Sequence, residues 1–236
     1  MRPDVYCALD RGSIREAVAL AERTAHAVDG FKIGLELCTA EGPGAVVRAL
    51  APLGRPVFLD LKLHDIPNTV AGAVRSAARH GVHILTLHVA GGPAMMEAAA
   101  EAARACERPP LLIGITVMTS LDQGDLAATG VEGSVPDHAD RLARLAVSCG
   151  LDGVVCSARE VPTIRASVPR HFRIVVPGIR PAGSAVGDQK RVMTPADAAR
   201  AGADVLVVGR PIGAAQDPAL AAEAIRHELS GEPLTA

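Results

Sequence analysis

The chain of 236 residues contains no tryptophan, one tyrosine and three phenylalanines, so aromatic side chains make up only 2% of it. That scarcity argues against the stacked aromatic platforms that hold unpaired bases. It also means that the core is built from Ala, Val, Leu and Ile. An excess of either charge is lacking too. Lys and Arg number 24 against 26 Asp and Glu, a formal net charge of -2, which offers no argument for a nucleic-acid or membrane partner. No apolar run approaches the roughly 18 residues of a membrane span. The N-terminus, MRPDVYCALD, is too short and too charged for a signal peptide. Five cysteines (Cys7, Cys38, Cys106, Cys149 and Cys156) are odd in number and show no CxxC spacing. A disulfide framework or structural zinc site is therefore not expected. They read as small buried hydrophobes in a reducing compartment, and a soluble cytoplasmic protein is expected.

What the chain has is alternation. Eight short apolar runs read as strands: VYCALD (5–10), GFKIGLEL (30–37), VFLDLKL (57–63), HILTLHVA (83–90), LLIGITVMT (111–119), DGVVCSA (152–158), RIVVPGI (173–179) and VLVVG (205–209). Between them lie Ala-rich segments such as SIREAVALAERTAHAV, NTVAGAVRSAARHG, AMMEAAAEAARA and HADRLARLAVSCG. Their apolar residues recur at three- and four-residue intervals, the helical signature. Strands alternating with helices imply a parallel sheet. Eight units in a chain of this length favour a closed (β/α)8 barrel, the TIM-barrel form of the α/β class, over an open doubly wound sheet. No Ser/Gly-rich linker or low-complexity block interrupts the pattern, so one catalytic domain over 1–236 is expected. The segment GSVPDH (133–138) is the nearest to a boundary and reads as a loop.

One stretch departs from this pattern. VFLDLKLHDIPNTV, residues 57–70, places Asp60, Lys62 and Asp65 in an otherwise apolar segment, and buried ions are costly unless paired. In a barrel the carboxyl ends of the strands converge on one mouth. Asp10, Lys32, Asp60, Lys62, Thr119, Arg180, Gly209 and Arg210 all fall at or near such ends. Asp60 and Lys62, two apart on a strand, share a face. Lys32 on the neighbouring strand would join them in an alternating array, with Asp65 as a further member. Carboxylates beside the lysines keep them charged, and a lysine so held can deliver a proton at a fixed point. The alternatives are an ion-pair network that only fills the barrel and, for Asp10, a cap on the following helix.

PGIR (177–180) and VVGRPI (207–212) have the make-up of an anion site. The ends of strands seven and eight form the phosphate site of many such barrels, where glycines admit close backbone approach and arginine adds a charged fork. PAGSAVGDQKRVM, between Arg180 and Thr194, has the composition of a mobile lid, from which Gln189 could reach a phosphate oxygen. His88 reads as a packed, hydrogen-bonded core histidine, and His64 receives no role. Met95 and Met96 read as helix packing. Asp10 and Asp60 could supply two metal ligands, but two adjacent lysines compete with any cation, so no metal is expected.

These motifs resemble the orotidine 5′-phosphate decarboxylase family. LDLKLHDIPNT matches its D-x-K-x-x-D-I-P-x-T signature, and ALD, FKIG, VMTS, PGIR, GDQKR and VVGRPI follow in the expected order along essentially the whole chain. The resemblance implies a substrate, orotidine 5′-monophosphate, converted to UMP and carbon dioxide without cofactor or metal. It implies that Lys62 protonates C6 of the pyrimidine and that Asp60 lies against the substrate carboxylate. Lys32 and Asp10 would hold the ribose hydroxyls and orient the array. Thr119 would contact the pyrimidine, and Gln189, Arg180, Gly209 and Arg210 would bind the phosphate. It also implies a homodimer in which Asp65 and Thr69 act in the partner's site. Two readings compete with it. Sugar-phosphate decarboxylases and hexulose-phosphate synthases share D-x-K-x-x-D but use magnesium, and a silent phosphate-binding barrel would not need all four of Lys32, Asp60, Lys62 and Asp65.

Overall fold

The computed structural model describes residues 2–181 and 193–230. Eight parallel strands close into a barrel in chain order. They are β1 (Asp4–Ala8), β2 (Gly30–Ile33), β3 (Val57–Leu63), β4 (Ile84–His88), β5 (Leu111–Ile115), β6 (Gly153–Val155), β7 (Arg173–Val176) and β8 (Val205–Val208). Helices return the chain between them: α1 (Ile14–Thr24), α2 (Leu35–Glu41), α3 (Pro43–Leu50), α4 (Pro67–Arg79), α5 (Pro93–Arg104), α6 (Gln123–Ala128), α7 (Val135–Ser148), α8 (Val161–Ser167), α9 (Pro195–Ala201), α10 (Arg210–Gly213) and α11 (Pro218–Ser230). The (β/α)8 fold expected from the alternation is the fold observed. No helix among the described residues is long and apolar enough to cross a membrane.

Strand residues alternate between two cores, because successive side chains point to opposite faces of the sheet. Tyr6, Ala8, Phe58, Ile84, Ile113, Val175, Val205 and Val207 fill the inside of the barrel. Their neighbours, such as Val5, Cys7, Phe31, Leu59, Leu85 and Val176, pack outward against the helices. With both faces covered, the strands need no polar side, which is why they read as continuous apolar runs. Two of the few aromatic rings plug the interior. Tyr6 meets Phe58 edge to face, with centroids 6.1 Å apart, a contact worth about 0.5–1.5 kcal/mol beyond its buried area. Gly30 makes room for this pair. A Cβ there would stand 2.4 Å from the Tyr6 ring and 2.8 Å from the Pro56 carbonyl oxygen.

The structure corrects several expected boundaries. The second strand ends at Ile33, and LEL of the run GFKIGLEL opens α2, where Leu37 and Cys38 are buried. An apolar run serves a strand or a short buried helix equally well, and length alone does not separate them. The segment 133–138 is not wholly loop. Ser134 caps α7 by accepting from the Asp137 N–H, and Pro136 sits in the first turn, where its missing N–H costs nothing. Cys106 is only half-buried, whereas the other four cysteines are buried, and none of the five is in a disulfide.

Candidate active site

The carboxyl ends of the strands surround a cleft of about 510 Å³. Its floor is the upper layer of the inner core: Ala8, Phe58, Ile115, Val155, Val175 and Val207. Its walls carry the polar residues singled out at the strand ends. Asp10, Lys32, Asp60, Lys62, Thr119, Arg180, Gly209 and Arg210 all line it, with Pro177 and Gly178 between them. Among the described residues, four cationic side chains therefore face two carboxylates. The excess favours a ligand that is itself strongly anionic.

The charges are organised as two ion pairs. Lys32 Nζ donates to Asp10 Oδ1 at 2.7 Å, with the lysine side chain only 11% exposed. Lys62 Nζ donates to Asp60 Oδ2 at 2.7 Å, with Asp60 16% exposed. Asp10 is not a helix cap, because Ser13 performs that function for α1. Gly34 leaves space for the first pair. A Cβ there would stand 3.1 Å from Lys32 Nζ and 3.5 Å from Asp10 Oδ1.

The second pair is built on an irregular strand. Leu59 lies opposite Leu85, but Leu63 lies opposite Leu87, so four steps along β3 match two along β4. Within this bulge Lys62 adopts φ 53°, the only positive φ at a non-glycine among the described residues. The two side chains meet as expected, yet through a kinked backbone rather than through the plain two-residue period. Bulges of this kind re-aim side chains beside active sites. Thr86, on β4, was not singled out in the sequence. Its hydroxyl accepts the Lys62 N–H at 2.9 Å and donates to Asp60 Oδ1 at 2.9 Å. Its one sequence signal is a hydroxyl inside the apolar run HILTLHVA, a weak one because Thr is a common strand residue.

Asp65 and Thr69 do not line this cleft. Both lie in the exposed stretch 64–69, where Asp65 Oδ1 accepts the Ile66 N–H at 2.6 Å. Ile66 itself starts α4 without a side-chain cap. His88 is half-buried, and its ring lies 5.4 Å from that of His64, centroid to centroid. Burial first, then the neighbouring His64 and Lys62, push the His88 pKa below the ordinary 6.5, with Asp60 opposing. Arg180 is buried and donates to the Ile179 carbonyl at 2.9 Å, while its own N–H meets the Met193 carbonyl at 3.0 Å. Gln189 and the expected lid between Pro181 and Met193 lie outside the described residues. Among the described residues no three His, Cys, Asp or Glu side chains converge as metal ligands.

Comparison with known proteins gives this geometry its context. Residues 3–225 match the model of the Orotidine 5'-phosphate decarboxylase / HUMPS family. The orotidine 5'-phosphate decarboxylase of Paramagnetospirillum magneticum is 52% identical over 230 residues, covering 95% of this chain and 97% of that protein. The enzyme of the same name from Anaeromyxobacter sp. (strain K) is 54% identical over 231 residues, covering 97% and 100%. Among solved structures, orotidine 5'-phosphate decarboxylase from Lactobacillus acidophilus superposes with a TM-score of 0.86 at 34% identity, over 98% of this chain and 100% of that one. A match of the family model over nearly the whole chain, with relatives above half identity, settles membership: the chain belongs to the orotidine 5'-phosphate decarboxylase / HUMPS family.

Proposed function

We propose that this enzyme decarboxylates orotidine 5′-monophosphate to UMP and carbon dioxide in pyrimidine biosynthesis, with Lys62 as the proton donor to C6. The observation that carries the reading is the Lys62–Asp60 pair, held at 2.7 Å in a cleft whose four cations outnumber its two carboxylates. The substrate has two anionic groups, a phosphate and a carboxylate. The cleft has cations in two groups, with Arg180 and Arg210 after β7 and β8 and the lysines on β2 and β3.

The chemistry follows from those positions. When the bond between C6 and the carboxylate breaks, its electron pair stays on C6 and carbon dioxide leaves. An ammonium beside C6 stabilises the developing charge in the transition state, and its proton then moves to C6. Asp60 keeps Lys62 protonated and oriented beforehand. Its own charge beside the substrate carboxylate raises the ground state. Lys32 and Asp10 bind the ribose hydroxyls. Thr119 contacts the pyrimidine. Arg180, Gly209, Arg210 and Gln189 take the phosphate, whose binding energy, remote from the breaking bond, tightens the site around the transition state.

The active form in this reading is a homodimer, with Asp65 and Thr69 entering the partner's cleft. Three large apolar side chains support it. Leu35, Ile66 and Met118 are 54%, 67% and 39% exposed, and they follow β2, β3 and β5 at the same rim of the barrel. The test of the reaction is direct. Orotidine monophosphate is added with and without a chelator, and its ultraviolet absorbance is followed. Loss of the orotate band at the same rate in both is expected. Turnover that vanished on chelation and returned with magnesium would favour the sugar-phosphate reading instead.

A further inference from the structure

We propose that Thr86 is a positioning residue for this reaction, setting both the carboxylate of Asp60 and the backbone from which Lys62 reaches C6. The proposal rests on Lys62 being the proton donor. Its basis is a closed ring of hydrogen bonds. Lys62 N–H donates to Thr86 Oγ1, Thr86 Oγ1 donates to Asp60 Oδ1, and Lys62 Nζ donates to Asp60 Oδ2. The direction of each bond is determined. A hydroxyl has one hydrogen, and the carboxylate opposite can only accept. The hydroxyl hydrogen therefore goes to Asp60, and a lone pair is left for the Lys62 N–H.

The ring sits where the strand cannot supply order of its own. Between Leu59 and Leu63 the pairing of β3 with β4 is irregular, and a backbone N–H in a sheet interior needs an acceptor. Thr86 provides it from a side chain that is fully buried. That anchor falls on Lys62, the one non-glycine with a positive φ among the described residues. The same oxygen fixes the rotation of the Asp60 carboxylate, so the oxygen facing the ammonium stays in place when substrate enters. One hydroxyl thus couples the two groups that must be aligned with C6. Alignment matters steeply in catalysis, because a displacement of about 1 Å costs on the order of a hundredfold in rate.

The test compares Thr86→Val, which keeps the shape and removes the hydroxyl, with Thr86→Ser, which keeps the hydroxyl, and Thr86→Cys, a weak hydrogen-bonder. Four quantities are read on the full chain: kcat, KM, UMP binding, and deuterium exchange at C6 of UMP in heavy water. Exchange is the microscopic reverse of protonation. The neutral amine form of Lys62 takes the C6 proton while the C6–H electron pair stays on carbon, the resulting ammonium exchanges with heavy water, and a deuteron returns to C6. Loss of a hydrogen bond to a charged group predicts a fall of roughly ten- to a hundredfold in kcat for Thr86→Val. Exchange should fall with it, while UMP binding, which depends on ribose and phosphate contacts, is retained. Thr86→Ser should recover most of both rates, and Thr86→Cys should fall between. Residue 86 acting only as core filler would lower thermal stability and move kcat and UMP affinity together. That result overturns the proposal, as does a Val or Cys variant as active as Ser. Should Thr86→Val fail to fold, the Ser–Cys comparison decides alone. Lys62→Ala, run alongside, separates the two ideas. Turnover by folded Lys62→Ala would overturn the donor reading and this proposal with it, whereas a dead Lys62→Ala beside a normal Thr86→Val overturns the positioning role alone.

Discussion

A left-handed backbone at a residue with a side chain costs about 1–3 kcal/mol and persists only where the surroundings over-determine it. Lys62 meets that condition at both ends, through Thr86 at its N–H and Asp60 at its ammonium. Nearby, His88 sits under a related constraint, and it leads to a pH prediction. Its folded pKa lies below 6.5, chiefly through burial and then through His64 and Lys62. Below 6.5 the unfolded chain takes up a proton that the folded chain resists, so stability falls with pH. The fall begins near 6.5 and is complete once folded His88 is itself protonated. His83 and His138 are lowered too, mainly by burial, with Arg173 and Arg141 respectively adding to it, so His88 accounts for only part of the slope. His88→Gln should therefore lose less melting temperature than the parent between about pH 7 and about pH 5. Calorimetry across that range checks it, and an unchanged slope would mean that His88 titrates alike in both states.

At the scale of elements, the mouth of the barrel concentrates what the strands themselves cannot hold. Arg210 stands at the junction of β8 and α10, directly after Gly209, and lines the cleft with the lysines. Arg210→Ala should raise KM and lower kcat/KM together, by roughly 2–5 kcal/mol of transition-state stabilisation, as for a truncated charge pair. Steady-state kinetics measure it, and a change under about 0.5 kcal/mol by the same conversion would place the phosphate elsewhere. Much of this layout was legible beforehand. Apolar runs alternating with helical periods imply the barrel, and a barrel brings Asp10, Lys32, Asp60, Thr119, Arg180 and Arg210 to one end whatever the details. Less visible were features that depend on backbone geometry. Nothing in LDLKL signals the bulge or the positive φ at Lys62, because side-chain type constrains that angle only weakly outside glycine and proline. Thr86 was hidden for a similar reason, since its value lies in two partners on another strand. GSVPDH was misread because Gly, Ser, Pro and Asp punctuate loops and helix starts alike.

The whole molecule raises the question of why Asp65 is on the surface. It stands three residues past Lys62 in the exposed stretch 64–69, outside its own cleft, with its Oδ1 occupied by the Ile66 N–H. A carboxylate there can charge the start of its own helix, α4, or face a second chain. Beside it Ile66 is 67% exposed, a cost in water that an interface would remove, at roughly 25 cal/mol for each Å² of apolar surface buried. With Leu35 and Met118 on the same rim, the surface favours a second copy, whose cleft would receive Asp65 and Thr69. Complementation tests this. Lys62→Ala subunits and Asp65→Ala subunits, each inactive as homodimers, are mixed under conditions where chains exchange. If sites are shared, a mixed dimer contains one site lacking both residues and one with both intact. Random exchange of equal amounts makes about half of the dimers mixed, each with one working site, so activity should return to about a quarter of the wild-type level per total subunit if every site acts alone. Exchange is verified independently with differently tagged chains. A mixture that stays inactive although mixed dimers form, or a chain that remains monomeric at working concentration, would assign Asp65 to its own barrel.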